Sequence, residues 1–244
     1  MVFSTNAQIR TNLTLVTNAV VSTTPSISSN AVTTSQTRVQ TNSVVTTQPV
    51  VATNVSVVNL PPGLQTVGTQ TGNWATFTQG GWGAPPAGNN PGALLAQNYD
   101  SAYPFGLEVG GAGPQGNSLI FSSAAAVAAY LPAGGQAGAL AADAINPLNS
   151  GAGVLGGQVT ALRLNVDFAW MGFLPLTVPA TTVTFGDLIY KNSGDALDGM
   201  SVVDILFTAE DVLGGGPLPT GHTYANLNDL LTRLNESFDN GSVA

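Results

Sequence analysis

A six-residue phrase close to Thr-Asn-Ala-x-Val-x runs ten times in unbroken phase from Thr5 to Leu64. In blocks of twelve, Asn6, Asn18, Asn30, Asn42 and Asn54 fall at one position, each after Thr or Ser. Thr or Ser opens nine of the ten hexads. The fifth position is aliphatic in eight: Ile9, Leu15, Val21, Ile27, Val39, Val45, Val51 and Val57, with Thr33 and Gly63 as exceptions. Six is an even number, so a backbone whose side chains alternate every two residues presents the same face in every hexad. Thr, the small third residue and the aliphatic fifth residue share one side, while Asn and Gln share the other. The pattern predicts β-strands, whose pleated surface suits β-branched residues.

One narrow apolar face does not stabilise an isolated ladder in water. The repeats need company, which a β-solenoid, a meander, an intertwined stalk of several chains or strands exchanged between subunits would supply. A solvated Thr-rich linker is the competing reading, but a linker has no need to hold register over five blocks.

Charge separates this arm from the rest. All thirteen acidic residues lie from Asp100 onward, and the first 99 residues carry only Arg10 and Arg38. Arg163, Lys191 and Arg233 are the remaining basic residues, so the arm counts +2 and the remainder −10. That balance argues against a nucleic-acid partner, whose phosphates require Lys and Arg. The absence of Cys excludes disulfides and thiolate chemistry. No apolar run approaches the roughly 20 residues of a transmembrane helix. The opening MVFSTNAQIR lacks the basic and apolar regions of a secretory signal, so none is expected there.

Beyond the Pro- and Gly-marked joint LPPGLQTVGTQTGN the pattern changes. The predicted organisation is a β-repeat arm over 1–64, a linker over 65–73 and a globular head over 74–244. The fold class is α+β: an all-β arm plus a mostly helical head with a small β element. NWATFTQ reads as a short strand, followed by a Gly/Pro loop over 80–92. LEVGG and NSLIFSS are predicted to pair, and the Ser122–Ser123 pair is placed to cap the helix AAAVAAYL. Helices are also predicted in GVLGGQVTALRLNVDFAW, in MSVVDILFTAEDVLGGG with terminating glycines, and in TYANLNDLLTRLNESF behind Thr223.

Candidate chemistry is sparse. His222 is the only histidine, and with no G-x-S-x-G the chain lacks the marks of a serine hydrolase. Asp195 and Asp198, in the Gly-bounded SGDALDGM, are the candidate ligands of a hard cation such as Ca²⁺, though without EF-hand spacing. Glu210 and Asp211 form a further carboxylate pair, and a hydrolase would have to work with such groups alone. Neither Gly-rich stretch has a phosphate-binding signature. Trp82, with Trp74, Phe77 and Tyr99 nearby, is either the anchor of a small core or a platform for stacking on a glycan.

TFTQGGWGAPPAGNNPG, residues 76–92, opens with a T-x-T-Q-G-x-W-G phrase, followed by GQVTALRLN over 157–165, FGDLIY over 185–190 and LNDLLTRLNESFDNG over 227–241. With these landmarks residues 74–241 resemble a bacterial exported or surface-protein module. The resemblance implies an extracytoplasmic structural or adhesive setting and transfers no catalytic residue.

The expected function is a structural subunit without enzymatic activity, resident cofactor or membrane span. It would self-assemble through its arm into an extracellular or cell-surface fibre or coat. A regular uncharged strand region without Lys or Glu to guard its edges is otherwise an aggregation hazard. The alternative is an adhesin or glycan-binding protein with the arm as its stalk.

Overall fold

The computed structural model describes residues 17–20, 40–43, 64–65, 74–111, 116–174 and 183–239. The chain divides into two compact units, residues 1–55 and 56–244. In the first, β1 (Thr17–Val20) pairs antiparallel with β2 (Gln40–Ser43), setting Asn18 opposite Asn42. The predicted assembly positions Ile9, Leu15, Val21, Ile27, Val39, Val45, Val51 and Val57 all lie outside the described residues.

In the second unit, residues 74–239 form an α+β structure with six α-helices among the described residues. Preceding them, β3 (Leu64–Gln65) pairs antiparallel with β7 (Ile189–Tyr190). Where a strand is predicted, residues 74–78 form among the described residues a single parallel bridge, Thr76 to Asp239. The predicted loop over 80–92 is partly helical. Thr78 caps α1 (Gln79–Trp82) through the Gly81 amide, and Asn90, followed by Pro91, caps α2 (Pro91–Ala102) through the Ala93 amide. Polar caps favour both starts, and Pro91 at the first position of α2 adds to the second, despite the surrounding Gly and Pro.

β4 (Leu107–Gly110) and β5 (Ser118–Phe121) form the expected antiparallel pair. Ser123 caps α3 (Ala124–Tyr130) as read from sequence. β6 (Ala144–Ile145), which local pattern does not mark, adds in parallel to β5. Tyr99 of α2 ties this sheet down: its hydroxyl donates to the Phe121 carbonyl at 2.5 Å and accepts from the Leu107 amide at 3.0 Å.

The centre of the head is α4 (Val154–Trp170), twelve of whose seventeen residues are buried. Gly156 and Gly157 let neighbours come close, since a Cβ would meet the Tyr130 hydroxyl at the first and Gln79 Oε1 at the second. A short 3₁₀ turn (Phe185–Asp187) leads into β7, and α5 (Val202–Leu213) and α6 (Tyr224–Glu236) pack against α4. Ser201 caps α5, and Thr223 forms a capping box with Asn226 at α6. Of the apolar stripe Tyr224, Leu227, Leu230, Leu231, Leu234 and Phe238 along this last segment, all but the half-buried Tyr224 are buried.

A buried amide chain joins these parts. Asn165 of α4 accepts from the Phe77 amide at 2.9 Å and the Trp82 indole at 3.1 Å, and donates to the Phe77 carbonyl and to Asn235 Oδ1, each at 2.9 Å. Asn235 in turn donates to the carbonyl and side-chain oxygens of Gln158. Every polar position of Asn165 is thereby satisfied, which makes a fully buried amide acceptable.

Candidate functional site

Two charged clusters stand apart from that internal scaffold. In the first, Arg163 points from α4 toward α5. Its Nε donates to Asp167 Oδ2 at 2.6 Å, one helical turn away, and its Nη1 donates to Glu210 Oε1 at 2.9 Å. The Tyr103 hydroxyl, just beyond α2, donates to the same Asp167 oxygen at 2.9 Å. Glu108 on β4 is close enough to act on Glu210 electrostatically, and it accepts a hydrogen bond from Ser118.

The charges answer this burial. Desolvation pushes the Glu210 carboxyl up to about 7; Arg163 opposes the shift, while Asp167 and Glu108 add to it. Burial alone would lower the Arg163 pKa, but the two carboxylates it bridges prevail and keep it protonated. The Tyr103 hydroxyl is raised well above its ordinary range, first by burial and then by Asp167. The cluster holds α4, α5 and the end of α2 together. Arg163 and Asp167 side chains nevertheless retain 28% and 19% of their exposure, so its edge is open to solvent.

The second cluster surrounds the single histidine. His222 Nε2 lies 2.8 Å from Asp195 Oδ1, while the Tyr190 hydroxyl donates to Asp195 Oδ2 at 3.1 Å. The Leu197 amide and Asn192 complete the ring of donors around Asp195. Burial raises the Asp195 carboxyl, but hydrogen bonds from Leu197, His222 and Tyr190 outweigh it and leave the pKa lowered. His222 Nδ1 is buried and has no partner among the described residues. The arrangement ties the 192–198 turn to the approach of α6.

Asp195 and Asp198, the candidate cation ligands, are occupied with this turn: Asp198 Oδ1 accepts from the Asn192 amide at 2.8 Å. Among the described residues no group of three His, Cys, Asp or Glu is placed to hold a metal ion. The Glu210–Asp211 pair is divided by the helix, with Glu210 turned to Arg163 and the Asp211 carboxylate placed beside Gly216.

Trp82 requires a correction. It is 0% exposed, with Phe77 and Phe168 edge-on at ring-centroid distances of 5.3 and 5.1 Å, so neither face is free to receive a sugar. The Arg163 cluster escaped sequence reading although the Arg163–Asp167 spacing of four was visible in it. Its other members, Tyr103 and Glu210, come from distant segments.

The head is thus an α+β domain organised around a central buried helix. No protein-family model matches the chain, and no curated protein or solved structure matches it. Among the described residues no helix is long and apolar enough to cross a membrane.

Proposed function

We propose that this chain is a structural subunit that self-assembles through its repeat arm into an extracellular or cell-surface fibre or coat. The observation that carries the reading is the ten-hexad phase of residues 5–64, uncharged except for Arg10 and Arg38. A segment with this much β-branched side chain and no acidic residue favours strand pairing over solvation.

Two features of the backbone support it. In the β1–β2 pair the second position of one repeat block stands opposite the second position of another, Asn18 across from Asn42, so the repeat is compatible with pairing to itself. Within the second unit Leu64, the last residue of the last hexad, pairs antiparallel with Tyr190, so the end of the repeat phase is itself in strand pairing.

Negative-stain electron microscopy of the purified chain tests the proposal. Filaments or ordered sheets are expected, and Val21→Asp or Val45→Asp should abolish them while the head keeps its circular-dichroism spectrum. Uniform monomeric particles from the unaltered chain would refute assembly.

A further inference from the structure

The large apolar side chains exposed among the described residues are Phe105, Ile145, Leu148, Trp170 and Phe207. Single exposed apolar residues are ordinary. Each of the three aromatic ones follows or precedes a member of the Arg163 cluster by two or three residues. Trp170 lies one turn beyond Asp167 on α4, Phe207 one turn before Glu210 on α5, and Phe105 two residues beyond Tyr103. Residues three apart on a helix occupy the same face. All three aromatics therefore rise from the backbone that builds the Arg163 cluster, which is open at its edge.

That edge has unused hydrogen-bonding capacity. Arg163 commits Nε to Asp167 and Nη1 to Glu210, leaving Nη2 without a partner among the described residues. Asp167 likewise receives both of its bonds on Oδ2, leaving Oδ1 free among the described residues. A planar donor beside a carboxylate acceptor matches two adjacent hydroxyl groups, each able to donate and accept. Carboxylates outnumber the single guanidinium here, which disfavours an anion, and the guanidinium at the opening disfavours a cation. Aromatic rings offer apolar faces to the C–H side of a sugar ring.

We propose that the face formed by Trp170, Phe207 and Phe105 around Arg163 and Asp167 binds a neutral carbohydrate. A sugar ring lies on Trp170, and neighbouring hydroxyls bond to Arg163 and Asp167. The proposal does not rest on assembly through the repeat arm.

The fluorescence of the protein suits the test. Trp74 and Trp82 are 4% and 0% exposed while Trp170 is 74% exposed, so external quenching reports on Trp170. The Val21→Asp chain is titrated with cellohexaose, xylohexaose, laminarihexaose and chitohexaose while acrylamide quenching is followed. At least one should protect Trp170 with saturation by the millimolar range, and Phe207→Ala should weaken that protection about tenfold. Calorimetry with the same sugar should show a comparable loss in Trp170→Ala, whose exposed side chain is dispensable for folding. The proposal is overturned if no sugar protects Trp170, if calorimetric binding survives Trp170→Ala unchanged, or if protection follows protein concentration alone, which marks a second copy on this face.

Discussion

Asn165 Nδ2 donates to Asn235 Oδ1 at 2.9 Å, joining the two helices α4 and α6 through a pair of wholly buried amides. Through Asn165 the same contact reaches Phe77 and Trp82, and through Asn235 it reaches Gln158. The N-terminal edge of the head, its central helix and its last helix therefore share one polar connection inside an apolar core.

Replacing Asn165 with Leu preserves bulk but strands the Phe77 amide and carbonyl, the Trp82 indole N–H and Asn235 Oδ1. With a cost of about 1–3 kcal/mol for each of four unsatisfied buried groups, the variant should lose roughly 4 kcal/mol or more. Urea unfolding measures this, and a loss smaller than about 1 kcal/mol would show that the amide chain is dispensable.

Glu210 makes the head less stable as pH rises. Its folded pKa of about 7 lies above the ordinary 4.5, so the folded state holds the proton more tightly than the unfolded chain. Its contribution is fully present below 4.5 and is lost as pH climbs through about 7. Relative to Glu210→Gln, the native protein should lose on the order of 3 kcal/mol across that window. Arg163, Asp167 and Glu108 all act on this carboxyl. Denaturation of both proteins at a series of pH values gives the difference, and parallel curves would contradict the assignment.

Asp195 has the opposite sign. Its carboxyl is held below its ordinary pKa, so its contribution is present above that value and lost as acid protonates it in the fold. Asp195→Asn should lower the melting temperature at neutral pH, with the gap from the native protein closing in acid. A gap independent of pH would assign the effect to shape alone.

Gly153, at the start of α4, has φ +58° and ψ −141°, and a Cβ there would meet the Gln136 carbonyl. Gly153→Ala should cost about 2 kcal/mol or more by adding backbone strain to a clash. Gly172→Ala, also at positive φ but with open space around it, should cost less. Equal losses in the two variants would leave strain as the only contribution.

The parts of the head legible in sequence were those decided by near neighbours. Ser123 and Thr223 mark helix starts because each cap bonds an amide three residues ahead. LEVG and SLIF are close enough along the chain to pair as a hairpin does. α2 was less legible because its apolar residues Leu94, Leu95 and Tyr99 make only a short stripe in a stretch rich in Gly, Pro and Asn. β6 was hidden altogether, since two residues acquire strand geometry only by lying beside Leu119 and Ile120.

The candidate sites divide in the same way. Asp195 and Asp198 were visible as a carboxylate pair, but their hydrogen bonds to Asn192, Leu197 and His222 belong to the folded turn. Trp82 could be core or platform until packing enclosed it between two phenylalanines.

By itself the sequence determined the repeat phase, the charge asymmetry and the helix starts behind Ser123 and Thr223, because each depends on residue spacing or on atoms a few bonds apart. Only tertiary structure decided that Trp82 is buried and Trp170 exposed, and that Tyr103, Glu108, Arg163, Asp167 and Glu210 meet. Burial and charge pairing are properties of the surroundings, and those surroundings exist only once segments remote in the chain have packed.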